Sequence, residues 1–157
     1  MRLLIIEDDH EKLKSIEGFL LSEYQGVTIS VARSIGSGLR AAIKGRSDFD
    51  IILLDMSMHE NDIGPDEPIG GNPEPYAGRE LLAQLKIRGL TIPVIMVTMF
   101  DSFGDGSKKM SLEQLVKELF EKFSPPFCGA VQYDSRQEGW RTSLRNEISK
   151  VMSERQA

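Results

Sequence analysis

Asp50-Ile51-Ile52-Leu53-Leu54-Asp55 decides the fold: four consecutive aliphatic residues run between two carboxylates. A strand wetted on one side alternates apolar and polar positions. A run with no polar position fits a strand covered on both faces, as in a parallel sheet sandwiched by helices. Asp55 then stands where the buried strand stops. A second run, Leu3-Leu4-Ile5-Ile6, ends the same way in Glu7-Asp8-Asp9. If the two strands are parallel neighbours, their terminal carboxylates meet at one edge of the sheet, an arrangement suited to a divalent cation and a phosphoryl group.

Working outward, runs of strand length alternate with segments of helical period, the pattern of an α/β fold with a mainly parallel sheet. Strands are predicted over Arg2 to Ile6, Thr28 to Ala32, Asp50 to Leu54, Ile92 to Thr98 and Phe127 to Tyr133. Leu13, Ile16, Leu20 and Tyr24 fall three and four residues apart, as do Leu112, Leu115, Leu119 and Phe123, and Trp140, Leu144, Ile148 and Val151. Each set draws an apolar stripe along a helix. Shorter helices are predicted around Gly38 to Lys44 and Ala77 to Arg88, and Ser111-x-x-Gln114 has the spacing of a capping box.

With 157 residues, 40% hydrophobic and 27% charged, the chain fits a single domain over 1–157. The opening apolar run is too short for a signal peptide or a membrane span, so a cytoplasmic location is expected. A net charge of -5 and the lack of a basic stripe argue against nucleic-acid binding. The single cysteine, Cys128, has no partner for a disulfide or a thiolate metal site and reads as a small core residue.

Two stretches break the rhythm. Residues 59–77 hold four of the seven prolines and three glycines with Glu60, Asp62, Asp66, Glu67 and Glu74, and no Lys or Arg. Residues 100–110 are rich in Gly, Ser and Asp. Both are predicted as long loops leaving the carboxyl ends of strands, the edge where open α/β sheets carry their sites, and so as flanking Asp55.

Leu3 to Asp9, Ile52-Leu53-Leu54-Asp55, Gly78-Arg79-Glu80-Leu81-Leu82, Pro93-Val94-Ile95-Met96-Val97-Thr98 and Gly129-Ala130-x-x-Tyr133 together resemble the receiver domains of two-component response regulators. The likeness covers the chain in order and implies a flavodoxin-like, doubly wound sheet of five parallel strands, order 2-1-3-4-5, with helices on both faces. It implies Asp55 as phosphoacceptor and Thr98 as the hydroxyl contacting the phosphoryl group. Tyr133 matches the aromatic switch residue. Mg²⁺ would be held by Glu7, Asp8, Asp55 and the backbone carbonyl of Ser57. The implied partners are a sensor histidine kinase or phosphotransfer protein and a downstream protein target, with no nucleic acid or membrane. A homodimer through the face of the fourth helix, fifth strand and fifth helix is a further implication. At most, such a chain phosphorylates itself from a donor and dephosphorylates itself.

Four positions depart from the family pattern, among them Gln137, which stands where a proline is usual. Counting seven residues from Gly129 puts Arg136 at the place of the family's lysine. Arginine keeps the charge but carries a wide planar fork in place of a compact ammonium. Three fates for Arg136 stay open: clamping the phosphoryl group, pairing with Asp55, or pointing to solvent. Met99 follows Thr98 where a small residue is usual, and His59 stands where the loop proline is expected.

Other classes explain less. Asp55 alone could cap a turn, and Asp9 reads better as the N-cap of the first helix than as a ligand. A dehalogenase-type hydrolase needs a second Asp two residues after the nucleophile, where Ser57 stands. Gly36-Ser37-Gly38-x-x-Ala41 follows the second strand, not the first, which argues for helix packing over nucleotide binding. The main competitor is a pseudo-receiver that binds partners without being phosphorylated.

Overall fold

The structure is a computed structural model and describes residues 1–59, 73–74, 76–99, 102–103 and 110–156. In chain order its first elements are β1 (Arg2–Ile6), α1 (His10–Glu23), β2 (Thr28–Ala32), α2 (Ile35–Lys44) and β3 (Ile51–Leu54). They are followed by β4 (Met58–His59), β5 (Pro73–Glu74), α3 (Ala77–Ile87), β6 (Val94–Thr98), β7 (Ser102–Phe103) and β8 (Met110–Ser111). The last are α4 (Leu112–Phe123), β9 (Phe127–Gln132) and α5 (Gly139–Gln156). β2, β1, β3, β6 and β9 form one sheet in that order, with parallel pairing throughout. Counting its five strands in chain order gives 2-1-3-4-5, the doubly wound arrangement expected from the sequence.

Side chains alternate across the sheet and split the core into two layers. Leu4, Ile6, Ile52, Leu54, Val94 and Met96 pack with α2, α3 and α4. Leu3, Ile5, Ile51, Leu53, Ile95 and Val97 pack with α1 and α5. Both faces are therefore dry, the condition read from the unbroken aliphatic runs. Burying each such side chain is worth about 1.5–3 kcal/mol relative to leaving it in water.

Caps fix where the helices begin. Asp9 accepts from the Lys12 backbone N–H at 2.9 Å and opens α1. Ser111 and Gln114 close the expected capping box on α4. α2 starts at Ile35, three residues before the expected Gly38, because Ser34 and Ser37 form a second box that offsets the weak helix propensity of Gly36 and Gly38. Gly38 itself is a packing requirement, since a Cβ there would lie 2.7 Å from Ile6 Cδ1.

The bases of both stretches that break the rhythm are paired strands and not plain loop. β4 pairs antiparallel with β5, Met58 opposite Glu74 and His59 opposite Pro73. β7 pairs with β8, Ser102 opposite Ser111 and Phe103 opposite Met110. Backbone groups leaving the sheet edge need partners, and each stretch supplies them to itself. The acids Glu60, Asp62, Asp66 and Glu67 lie outside the described residues. Among those described, no helix is long and apolar enough to cross a membrane.

Candidate functional site

Register brings the acidic residues together. Ile6 stands beside Leu54 in the parallel pair of β1 and β3, so Glu7 and Asp55 leave adjacent strands at one level. The Asp55 N–H donates to the Ile6 carbonyl at 3.1 Å, and the Glu7 N–H donates to the Ala32 carbonyl at 3.0 Å. Beyond β1 the chain folds over its own side chain: Glu7 Oε2 accepts from the backbone N–H groups of Asp8 and Asp9 at 3.1 and 3.2 Å. Glu7 is 2% exposed, Asp55 6%, and Asp8 is half-buried. One carboxylate oxygen from each of the three lies within 4.8 Å of the others.

α3 closes the floor. The Gly78 N–H donates to the Met56 carbonyl at 2.9 Å, and a Cβ on Gly78 would meet the Asp55 carbonyl oxygen at 3.0 Å and Met56 Cα at 3.1 Å. Glycine here lets the helix sit against the backbone that carries Asp55.

The residue that sequence reading did not single out is Lys12. It is 1% exposed, and its Nζ pairs with Glu7 Oε1 at 2.5 Å, donates to the Val97 carbonyl at 2.6 Å and lies 3.4 Å from Asp55 Oδ1. A weak sign of it was present in the sequence. Lys12 precedes Ile16 by four residues and so lies on the buried stripe of α1, where a lysine without a partner would not be tolerated.

Burial dominates the electrostatics. It pushes Glu7 up to about 8, against the lowering pull of Lys12, with Asp55 adding a further upward push. It also raises Asp55, again opposed by Lys12. Glu7 and Asp55 thus share the Lys12 ammonium in a poorly solvated pocket beside Asp8, and Asp55 Oδ1 receives no hydrogen bond. Hard oxygen donors from three carboxyl groups and an unsatisfied buried oxygen fit a divalent cation such as Mg²⁺, whose charge would offset the burial that raises Glu7 and Asp55. Ser57, whose carbonyl is the fourth expected ligand, stands half-buried two residues past Asp55.

Thr98 is fully buried at the end of β6, and its carbonyl accepts from the Tyr133 N–H at 2.8 Å. Tyr133 is buried, with its ring centroid 5.0 Å from that of Trp140. Met99 is exposed. Arg136 does not join the cluster: its side chain is 86% exposed, and its guanidinium binds Asp134, Nε to Oδ1 at 3.2 Å and NH2 to Oδ2 at 3.3 Å. Hydrogen bonding within that pair raises Arg136 and lowers Asp134. Of its three open directions, Arg136 takes the one toward solvent.

A five-stranded, doubly wound parallel sheet with carboxylates gathered at the carboxyl ends of its first and third strands is the architecture of response-regulator receiver domains. The chain shares that CheY-like receiver fold. It is 33% identical over 148 residues to the uncharacterised protein y4jR of Sinorhizobium fredii, covering 93% of this chain and 95% of that protein. It is 28% identical over 151 residues to the Detocs response regulatory protein DtcB of Enterobacter cloacae, covering 96% of this chain and all of that one. Among solved structures, a response regulator receiver domain protein from Clostridium thermocellum superposes with a TM-score of 0.67 at 17% identity, over 99% of this chain and 96% of that one. Comparison with protein-family models finds no match.

Proposed function

We propose that this chain is a stand-alone receiver of two-component phosphorelay signalling. In this reading Asp55 takes a phosphoryl group from the phosphohistidine of a sensor kinase or phosphotransfer protein. The observation that carries the proposal is the convergence of Glu7, Asp8 and Asp55 at one sheet edge around a buried, incompletely hydrogen-bonded Asp55. The receiver fold and the relation to a response regulatory protein support it.

An Asp55 carboxylate oxygen attacks phosphorus, the O–P bond forms as the P–N bond breaks, and the electron pair leaves on the imidazole nitrogen of the donor. Later a water oxygen attacks the same phosphorus, the Asp55 O–P bond breaks, and inorganic phosphate leaves with the carboxylate restored. Glu7, Asp8, Asp55 and the Ser57 carbonyl would hold Mg²⁺. When bound, the ion screens the repulsion between the aspartate and the incoming phosphoryl oxygens. Thr98 offers its hydroxyl to the phosphoryl group, and Tyr133 beside Trp140 relays the change to the face of α4, β9 and α5. There a downstream protein or a second copy binds. The protein works in the cytoplasm as a single domain and does not touch nucleic acid directly.

Partner binding without phosphorylation is the second reading, favoured by the outward turn of Arg136. Incubation with Mg²⁺ and acetyl phosphate, followed by intact mass, separates the two. A phosphoryl adduct on the wild type that is absent from Asp55→Asn supports the phosphoacceptor. No adduct, or one that survives Asp55→Asn, leaves the pseudo-receiver.

A further inference from the structure

Lys12 stands where local preferences oppose it. It occupies the first turn of α1, the end at which helix N–H dipoles gather positive charge and favour anions. Withdrawing its ammonium from water costs several kcal/mol unless good partners compensate. Helical side chains lean toward their helix's N-terminus, and here that direction leads to the sheet edge carrying Asp55.

An ammonium has three donors. Lys12 directs two at the Val97 carbonyl and Glu7 Oε1, at 2.6 and 2.5 Å, so the nitrogen is tethered to the ends of both β6 and β1. Across a gap of 3.4 Å stands Asp55 Oδ1, a buried oxygen with no hydrogen bond. That distance exceeds a normal N–H···O bond. Asp55 Oδ1 is therefore within reach of the third donor but beyond normal bonding distance. A charge pair serving the fold alone would be complete with Glu7, whereas this one leaves a donor unspent beside the candidate nucleophile.

We propose that Lys12 is the cation that contacts the phosphoryl group carried by Asp55. On this proposal the first helix delivers the positive charge that Arg136, bound to Asp134 in solvent, does not bring. The proposal rests on Asp55 being the phosphoacceptor. Its physical content is preorganisation: Val97 and Glu7 fix the ammonium before reaction, so little reorganisation is needed when a phosphoryl oxygen arrives.

The test compares wild type, Lys12→Met, Lys12→Gln and Arg136→Met in three measurements: thermal melting, Mg²⁺ affinity by calorimetry and the rate of labelling by acetyl phosphate by intact mass. Removing the ammonium relieves competition for Glu7 and Asp55, so both Lys12 variants should bind Mg²⁺ at least as tightly as wild type. Their labelling should fall roughly 10²–10³-fold, the usual cost of losing one preorganised charge-stabilising donor. Arg136→Met should label at the wild-type rate. Labelling of both Lys12 variants at the wild-type rate would overturn the proposal and leave Asp55 as phosphoacceptor. Joint loss of Mg²⁺ binding and cooperative melting in both would also overturn it, marking Lys12 as a support of the fold. A wild type that takes no label removes the phosphoacceptor reading itself, and this proposal with it.

Discussion

Asp55 is placed at a cost to the fold. Burial raises its carboxyl above the ordinary value of 3.8, so between that value and its folded pKa the folded chain binds more protons than the unfolded one. Stability attributable to this residue is therefore highest in acid and falls as pH rises through the folded pKa. Asp55→Asn should accordingly melt higher than wild type in chelator at pH 8, by an amount on the order of 1 kcal/mol. The gap should narrow as pH falls and when Mg²⁺ is added to the wild type. Thermal melts across pH in both proteins check this. At this scale Asp55, Glu7 and Asp8 were legible because each follows an aliphatic run whose end is visible in the sequence. Lys12 was barely so: its spacing from Ile16 hints at the buried stripe of α1, but its partners are set by strand register and by the rotation of α1 on the sheet. The outward path of Arg136 was hidden, since a count from Gly129 fixes a position in the chain and not a direction in space.

Two of the helices that flank the site, α3 and α4, are joined by the Arg79–Glu118 pair. Arg79 Nη1 reaches both carboxylate oxygens at 3.1 Å, Lys122 adds a 2.8 Å contact from within α4, and the Arg79 guanidinium stacks 4.5 Å over Tyr76. Hydrogen bonding to Lys122 first, with charge from Arg79, lowers the Glu118 carboxyl below its ordinary value of 4.5. A depressed acid stabilises the fold above its unfolded pKa and loses that contribution as pH falls through the folded one. Because Lys122 and Arg79 are solvated, Glu118→Gln should cost no more than about 1 kcal/mol at pH 7. The difference should vanish in acid, as denaturant midpoints at several pH values will tell. Helix starts were readable where a capping residue stood alone, as at Ser111, and misread at α2, where Gly36 and Gly38 obscured the Ser34 cap.

Across the whole molecule, the five-strand sheet holds the site and the two stretches at its active edge are appended to it. The ladder of β4 and β5 brings His59 opposite Pro73, so the ends of the first stretch are already close. Replacing residues 60–72 by a short glycine turn should therefore preserve cooperative unfolding and change stability by less than about 1 kcal/mol, because loop entropy varies slowly with length. If the acidic stretch selects partners, the same change will alter the rate of phosphotransfer from a cognate kinase while the rate from acetyl phosphate stays constant. Sheet order, both core layers and all five helices were legible because aliphatic runs and apolar stripes carry their own periods. The two short ladders were not, because two-residue strands leave no period to read.

Fluorine NMR of the protein with beryllofluoride, a phosphoryl mimic, tests the proposed chemistry of Asp55 most directly. Bound fluorine resonances should appear on adding Mg²⁺ to the wild type, disappear with chelator, and be absent from Asp55→Asn. Resonances that form without a divalent ion or persist in Asp55→Asn, or a wild type that gives none, would contradict an Asp55 phosphoacceptor built with Glu7 and Asp8.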